Sequence, residues 1–183
     1  MARRLGPVKG RLAVAVAVAA VAALAIYWFA IRQRGVEPKL AVPRLAARIG
    51  EGPKAVGVSA DGRLVRWLPL PEEPPPPRLP LEGPPKGGRV KGPALEQVRV
   101  LAAVPDALRP YVEASRYGES GVDVSLTSGI ELRFGDASQA GRKWRVAAAI
   151  LADPEITALD YVDLHAPAHP SYGGSEHELP PAP

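Results

Sequence analysis

The residues best equipped for chemistry lie together near the C-terminus, in "LDYVDLHAPAHPSYGG": Asp160, Asp163, His165 and His169. An H-x3-H spacing on a helix would turn both imidazoles to one face, the arrangement that holds zinc. Pro167 and Pro170 exclude a regular helix here, since each ring removes a backbone donor and clashes with the preceding turn. A third ligand would have to come from His177, Asp160 or Glu176. Loop histidines on a solvated edge are the plainer reading, and no metal is expected. Other chemistries lack their parts. No serine sits on a nucleophile-elbow pattern or beside a glycine-rich oxyanion loop. "PPKGG" at 84–88 lacks the following helix and the rest of a phosphate-binding loop. With no cysteine, there is no disulfide, no thiolate zinc site and no cysteine nucleophile. No catalytic motif stands out, and no cofactor is expected.

The elements around this segment can be read from their periodicities. In "GVDVSLTSGIELRFG", Val122, Val124 and Leu126 alternate on one strand, and Ile130, Leu132 and Phe134 on the next. Facing both sets to one core pairs 126 with 130, 124 with 132 and 122 with 134, around a Thr127-Ser128-Gly129 loop. Asp123 then stands across from Arg133 on the wet face. A helix follows, capped by Asp136 or Ser138, with Ala140, Trp144, Ala147 and Leu151 in one stripe, and Asp153-Pro154 stops it. "ITALDYVDL" is the next strand, with Val162 and Leu164 inward and Asp163 outward. Upstream, alternation around Asp61-Gly62 gives a hairpin from Val56 to Trp67. Leu95, Val98, Leu101 and Ala102 give a helix opened by Pro93, and a strand starts from Tyr111. Residues 69–88 hold nine prolines and read as an extended surface connection largely without ladder hydrogen bonds. A helical turn or two is expected around "VPRLAARIG". The fold class is α+β: a mostly antiparallel sheet with one or two helices packed on it.

The N-terminus adds an anchor. Residues 12–31 run for 20 positions without a charge, roughly 30 Å as a helix and the thickness of a bilayer core. Leu12, Leu24 and Ile31 lie in this span, and Tyr27, Trp28 and Phe29 cluster at the end where rings meet the membrane boundary. The run exceeds a cleavable signal core, so a retained single-pass helix is expected. The tail at 1–11 is short and basic, which places the N-terminus in the cytoplasm and the small C-terminal domain outside. The net charge of +4 comes with both signs interspersed, so no nucleic-acid face is expected. No small-molecule substrate is expected either.

This order of parts, with "DGRLVRWLP", "RLPLEG" and "SGIELRFGDASQAGRKWRVAAAILADPEITALDYVDLHAP", resembles the extracytoplasmic region of the FtsQ/DivIB bacterial cell division family. Gly129, Ile130, Leu132, Gly135, Lys143, Leu151, Tyr161, Val162, Asp163 and Leu164 carry the resemblance. The sequence departs from the family twice. Residues 32–54 are too few for the POTRA domain expected between anchor and β domain, and His165 stands where arginine is usual. The resemblance implies a non-enzymatic division scaffold at the septal plasma membrane, binding FtsB/DivIC-like and FtsL-like partners. It implies contact by strand addition at Ala168, His169, Ser171, Tyr172, Gly173 and Gly174, backed by Tyr161, Val162, Asp163 and Leu164. The expected layout is a juxtamembrane segment at 32–54, a β domain at 55–174 and a disordered tail at 175–183. Two alternatives are a membrane-anchored binding module of another envelope process, and an anchored metal-dependent hydrolase using the histidine segment.

Overall fold

The structure, a computed structural model, describes residues 44–180. The basic tail, the expected anchor and residues 32–43 lie outside the described residues. Among the described residues no helix is long and apolar enough to cross a membrane.

Nine strands form one mixed sheet: β1 (Leu45–Ile49), β2 (Val56–Ser59), β3 (Leu64–Val65), β4 (Arg78–Leu79), β5 (Val112–Gly118), β6 (Gly121–Leu126), β7 (Glu131–Gly135), β8 (Ala158–Asp163) and β9 (Ser171–Glu178). Their spatial order is 3-2-1-4-5-6-7-8-9. The pairs β1–β4, β4–β5 and β7–β8 are parallel and the remaining five are antiparallel. Helices α1 (Pro93–Ala102) and α2 (Ala140–Leu151) cover one face. Ser115, opposite Val124, donates to Gln97 of α1 at 2.9 Å, while Trp144 of α2 packs on Phe134 with ring centroids 4.8 Å apart. The Trp144 indole N–H donates to Val100 O at 2.8 Å, locking the two helices together. Trp144, Phe134, Leu132, Val124 and Val162 are fully buried. Each large apolar side chain so buried contributes about 1.5–3 kcal/mol.

Several expectations need correction. The helical turn at "VPRLAARIG" is strand β1, whose Ala46, Ala47 and Ile49 are buried. The sheet thus begins by Leu45, ten residues before the expected domain start. The proline-rich segment is more than a surface connection. Arg78 and Leu79 form β4 between β1 and β5, and Leu79 is buried. Prolines cannot donate, but they can accept: Arg48 N–H donates to Pro77 O at 2.8 Å and Arg48 Nε to Pro76 O at 3.0 Å. Trp67 lies beyond β3 and is 70% exposed.

The central hairpin keeps Val124 opposite Leu132 and Asp123 opposite Arg133, but Val122 meets Gly135 rather than Phe134. Beside this slip the two backbones approach closely: a Cβ on Gly121, at φ +103°, would stand 2.1 Å from Gly135 O. Neither Asp136 nor Ser138 caps α2; that position is Gln139, in the left-handed region at φ 53°. Asp136 instead accepts from Ser138 N–H at 3.0 Å and from Lys143 Nζ at 2.9 Å. Finally, residues 175–178, expected in the tail, form the second half of β9.

Candidate functional site

β8 is held from both sides. Its inward residues Leu159 and Val162, with Leu164 just beyond, are buried, and β7 pairs with it in parallel. On the wet face an ion-pair ladder crosses the sheet. Arg116 of β5 bonds Asp123 at 3.1 Å and Glu131 at 2.5 Å, and Glu131 accepts from Arg133 at 2.8 Å. The hydrogen bond from Glu131 raises the Arg133 pKa further, keeping the guanidinium charged. That guanidinium lies 4.3 Å from the Tyr161 ring centroid, a cation–π contact that carries the ladder to β8. Arg116 is exposed and Arg133 half-exposed, while Asp123 is buried and Glu131 largely covered, so solvent screens the ladder mainly from the arginine side.

The C-terminal end of β8 is closed by His165. Asp163 Oδ1 accepts from the His165 backbone N–H at 2.9 Å and lies 2.8 Å from its Nδ1, while Nε2 lies 3.0 Å from Ser120 O. Both neighbours are acceptors, so both ring nitrogens donate and the imidazolium form is favoured. The bond to Ser120 O, then that to Asp163, raises the His165 pKa. Burial alone would raise the Asp163 pKa, but the His165 backbone and ring bonds outweigh it and leave the carboxyl lowered. Gly135 makes room for the ring, since a Cβ there would sit 2.5 Å from His165 Cδ2. Both His165 ring nitrogens are thus engaged within the clasp, while His169 lies in the turn that follows.

β9 is the last strand of the sheet, antiparallel to β8. Tyr172 stands opposite Val162, Gly173 opposite Tyr161 and Ser171 opposite Asp163. The register then slips, and His177 meets Leu159. In this bulge Gly174 takes φ +92°, and a Cβ on it would fall 2.0 Å from Asp160 Cγ, so only glycine fits. Asp160 Oδ1 accepts from Glu176 N–H at 2.7 Å. Of the residues expected at a partner edge, Ser171, Tyr172, Gly173 and Gly174 lie in β9. Ala168 and His169 precede it in a turn where His169 N–H donates to Ala166 O at 2.9 Å. Tyr161, Val162 and Asp163 lie in β8, and Leu164 N–H donates to Arg133 O at 2.8 Å.

Sequence reasoning missed the bulge, the His165 clasp and the burial of Lys143, which is 2% exposed. Its Nζ donates to Phe134 O at 2.7 Å, Asp136 O at 3.1 Å and Asp136 Oδ1 at 2.9 Å. The bonds from Ser138 and Lys143 lower the Asp136 pKa to about 2. The paired glycines at 173–174 were the one signal of a bulge.

Comparison with known proteins agrees with this architecture. A family model described as cell division protein FtsQ/DivIB, C-terminal, matches residues 47–165. The match runs from β1 through the His165 clasp and stops short of β9. No curated protein matches the chain. Since the match spans well over half of its 183 residues, the chain belongs to the FtsQ/DivIB family of cell division proteins.

Proposed function

We propose that the protein is a single-pass scaffold of the bacterial division machinery, non-enzymatic, with its C-terminal domain outside the plasma membrane at the septum. It engages an FtsB/DivIC-like or FtsL-like partner by accepting a strand on the open edge of β9. The observation that carries this reading is the contrast between the two sheet edges. At the β3 edge the chain covers itself: Leu64 N–H donates to Gly88 O at 2.9 Å, Val90 N–H donates to Gly62 O at 2.9 Å, and Arg63 bridges to Arg89. At the β9 edge no described segment does so. Residues 171–174 carry none of the charges or prolines that normally guard an edge, whereas 175–178 carry Glu176 and Glu178. Tyr172, 49% exposed, supplies an aromatic anchor amid the unpaired backbone groups.

Tyr172→Glu places a charge on this strip without touching the core. Co-purification with the FtsB-like partner from membranes is expected to fall tenfold or more. Undiminished recovery sinks the edge-strand reading. Fluorescent localisation tests the wider role, where a midcell band is expected and uniform membrane staining refutes it.

A further inference from the structure

The β8–β9 bulge gathers Asp160, Glu176 and His177, a group that the partner edge does not use. Each offers one ligand atom, and these atoms lie within 4.8 Å of one another. Among the described residues this is the one group of three such side chains. Neighbours on a regular strand point to opposite faces, so Glu176 and His177 converge only because the bulge breaks the alternation. Two of the three are fixed in place. Asp160 spends Oδ1 on the Glu176 N–H and keeps its second oxygen. The His177 ring rests against Gly129, where a Cβ would stand 2.7 Å from Nδ1 and from Cε1. Neither the Glu176 carboxylate nor the His177 ring bonds another described residue.

The geometry points to a divalent transition-metal site, of the Zn²⁺ class, that staples the second half of β9 to β8. Two carboxylates brought this close repel each other unless a cation sits between them. A divalent ion neutralises both and takes the imidazole lone pair. One nitrogen and two oxygens suit zinc or its first-row neighbours, whereas calcium takes six to eight oxygens. Ligands at about 2.1 Å in a tetrahedral shell lie about 3.4 Å apart, so no gap has to close by more than about 1.4 Å (4.8 less 3.4). Glu176, the exposed member of the group, has the side-chain freedom to move toward the other two. Three protein ligands leave the fourth position to water. This inference is independent of the partner edge, whose residues end at Gly174.

The test is a Co²⁺ titration of the full chain in detergent, purified through a tag that contains no histidine. Expected is a ligand-field absorption band that saturates at one ion per chain and is displaced by Zn²⁺. His177→Ala and Glu176→Gln should each weaken binding tenfold or more, while His165→Ala and His169→Ala leave it unchanged. Absence of a saturable band in the unsubstituted protein overturns the site, and so does one-to-one binding retained in His177→Ala. Should His177→Ala lose its native circular dichroism, Glu176→Gln decides the matter, because that carboxylate supports nothing else in the fold.

Discussion

Replacing Lys143 with methionine removes the ammonium from the end of β7 while nearly preserving the stem that packs in the core. Two effects oppose each other. Burying an ammonium costs several kcal/mol, and exchange of a whole buried ion pair for apolar groups is often neutral or favourable. Here only one partner is exchanged. The Phe134 carbonyl is left without its donor in a buried position, and the Asp136 carbonyl loses a second bond. Hydrogen bonds from a charged donor contribute about 1.5–3 kcal/mol each, so these two amount to about 3 kcal/mol at the low end. The ion pair itself adds little, because the Asp136 side chain is 69% exposed and solvent screens it to well under about 1 kcal/mol. A loss of about 3 kcal/mol corresponds to a Tm lower by about 10 °C for a domain of this size. Urea unfolding followed by far-UV circular dichroism measures it, with Asp136→Asn as the control that should cost under about 1 kcal/mol. A Lys143→Met protein as stable as the original, or more so, would show that desolvation of the ammonium outweighs its three bonds and refute the reasoning.

Gly121→Ala should be among the most damaging single substitutions, since a methyl at φ +103° would stand 2.1 Å from the Gly135 carbonyl oxygen and backbone must move. A loss of about 3 kcal/mol is expected from left-handed strain plus overpacking, read in the same unfolding assay. His165 should give the stability a pH dependence that His165→Ala lacks. Its folded pKa is raised, so the clasp contributes fully below the ordinary histidine value of 6.5 and fades as pH rises through the folded value. Unfolding midpoints measured from pH 6 upward should therefore decline in the original protein and stay flatter in the variant, and parallel profiles would refute this.

What was legible in the sequence was local. The pairing of Val124 with Leu132 and the stripe Ala140–Trp144–Ala147–Leu151 depend on residues a few positions apart, where periodicity is the signal. What was illegible depended on distant neighbours. β1 reads "LAARI" with almost every residue buried, so it shows no alternation and no more strand character than a short buried helix. β4 is two residues in a run of prolines, and nothing nearby announces that Arg48 and Ala114 flank it. Lys143 sits one place from Trp144 on α2, where a lysine ordinarily reads as solvent-facing. Its burial depends on carbonyls at the end of β7 that no helical periodicity can reveal. The segment at 168–174 stands out through the family resemblance and not through any local periodicity, and of it only Ser171–Gly174 lie in β9. The continuation to Glu178 was illegible, because a bulge restores pairing only after Asp160 has turned to accept the Glu176 N–H.

An edge that receives a strand binds more tightly when its own half is already ordered, because only the incoming chain then loses conformational freedom. In the proposed mode of binding, the contacts behind β9 serve that end. Val162 and Leu164 anchor β8 in the core, Arg133 holds the Tyr161 ring from the wet face, and His165 ties the strand end to Ser120 on the β5–β6 turn. The strip at 171–173 is thus backed by a strand fixed on three sides. The bulge at Gly174 marks where the uncharged edge gives way to one guarded by glutamates. A partner strand that pairs alongside Ser171, Tyr172 and Gly173 would meet the bulge immediately afterwards, where the local twist increases and the ladder breaks. The strand addition proposed for this edge would therefore be confined to a few residues, with its selectivity supplied by side chains around Tyr172 rather than by a long run of backbone bonds.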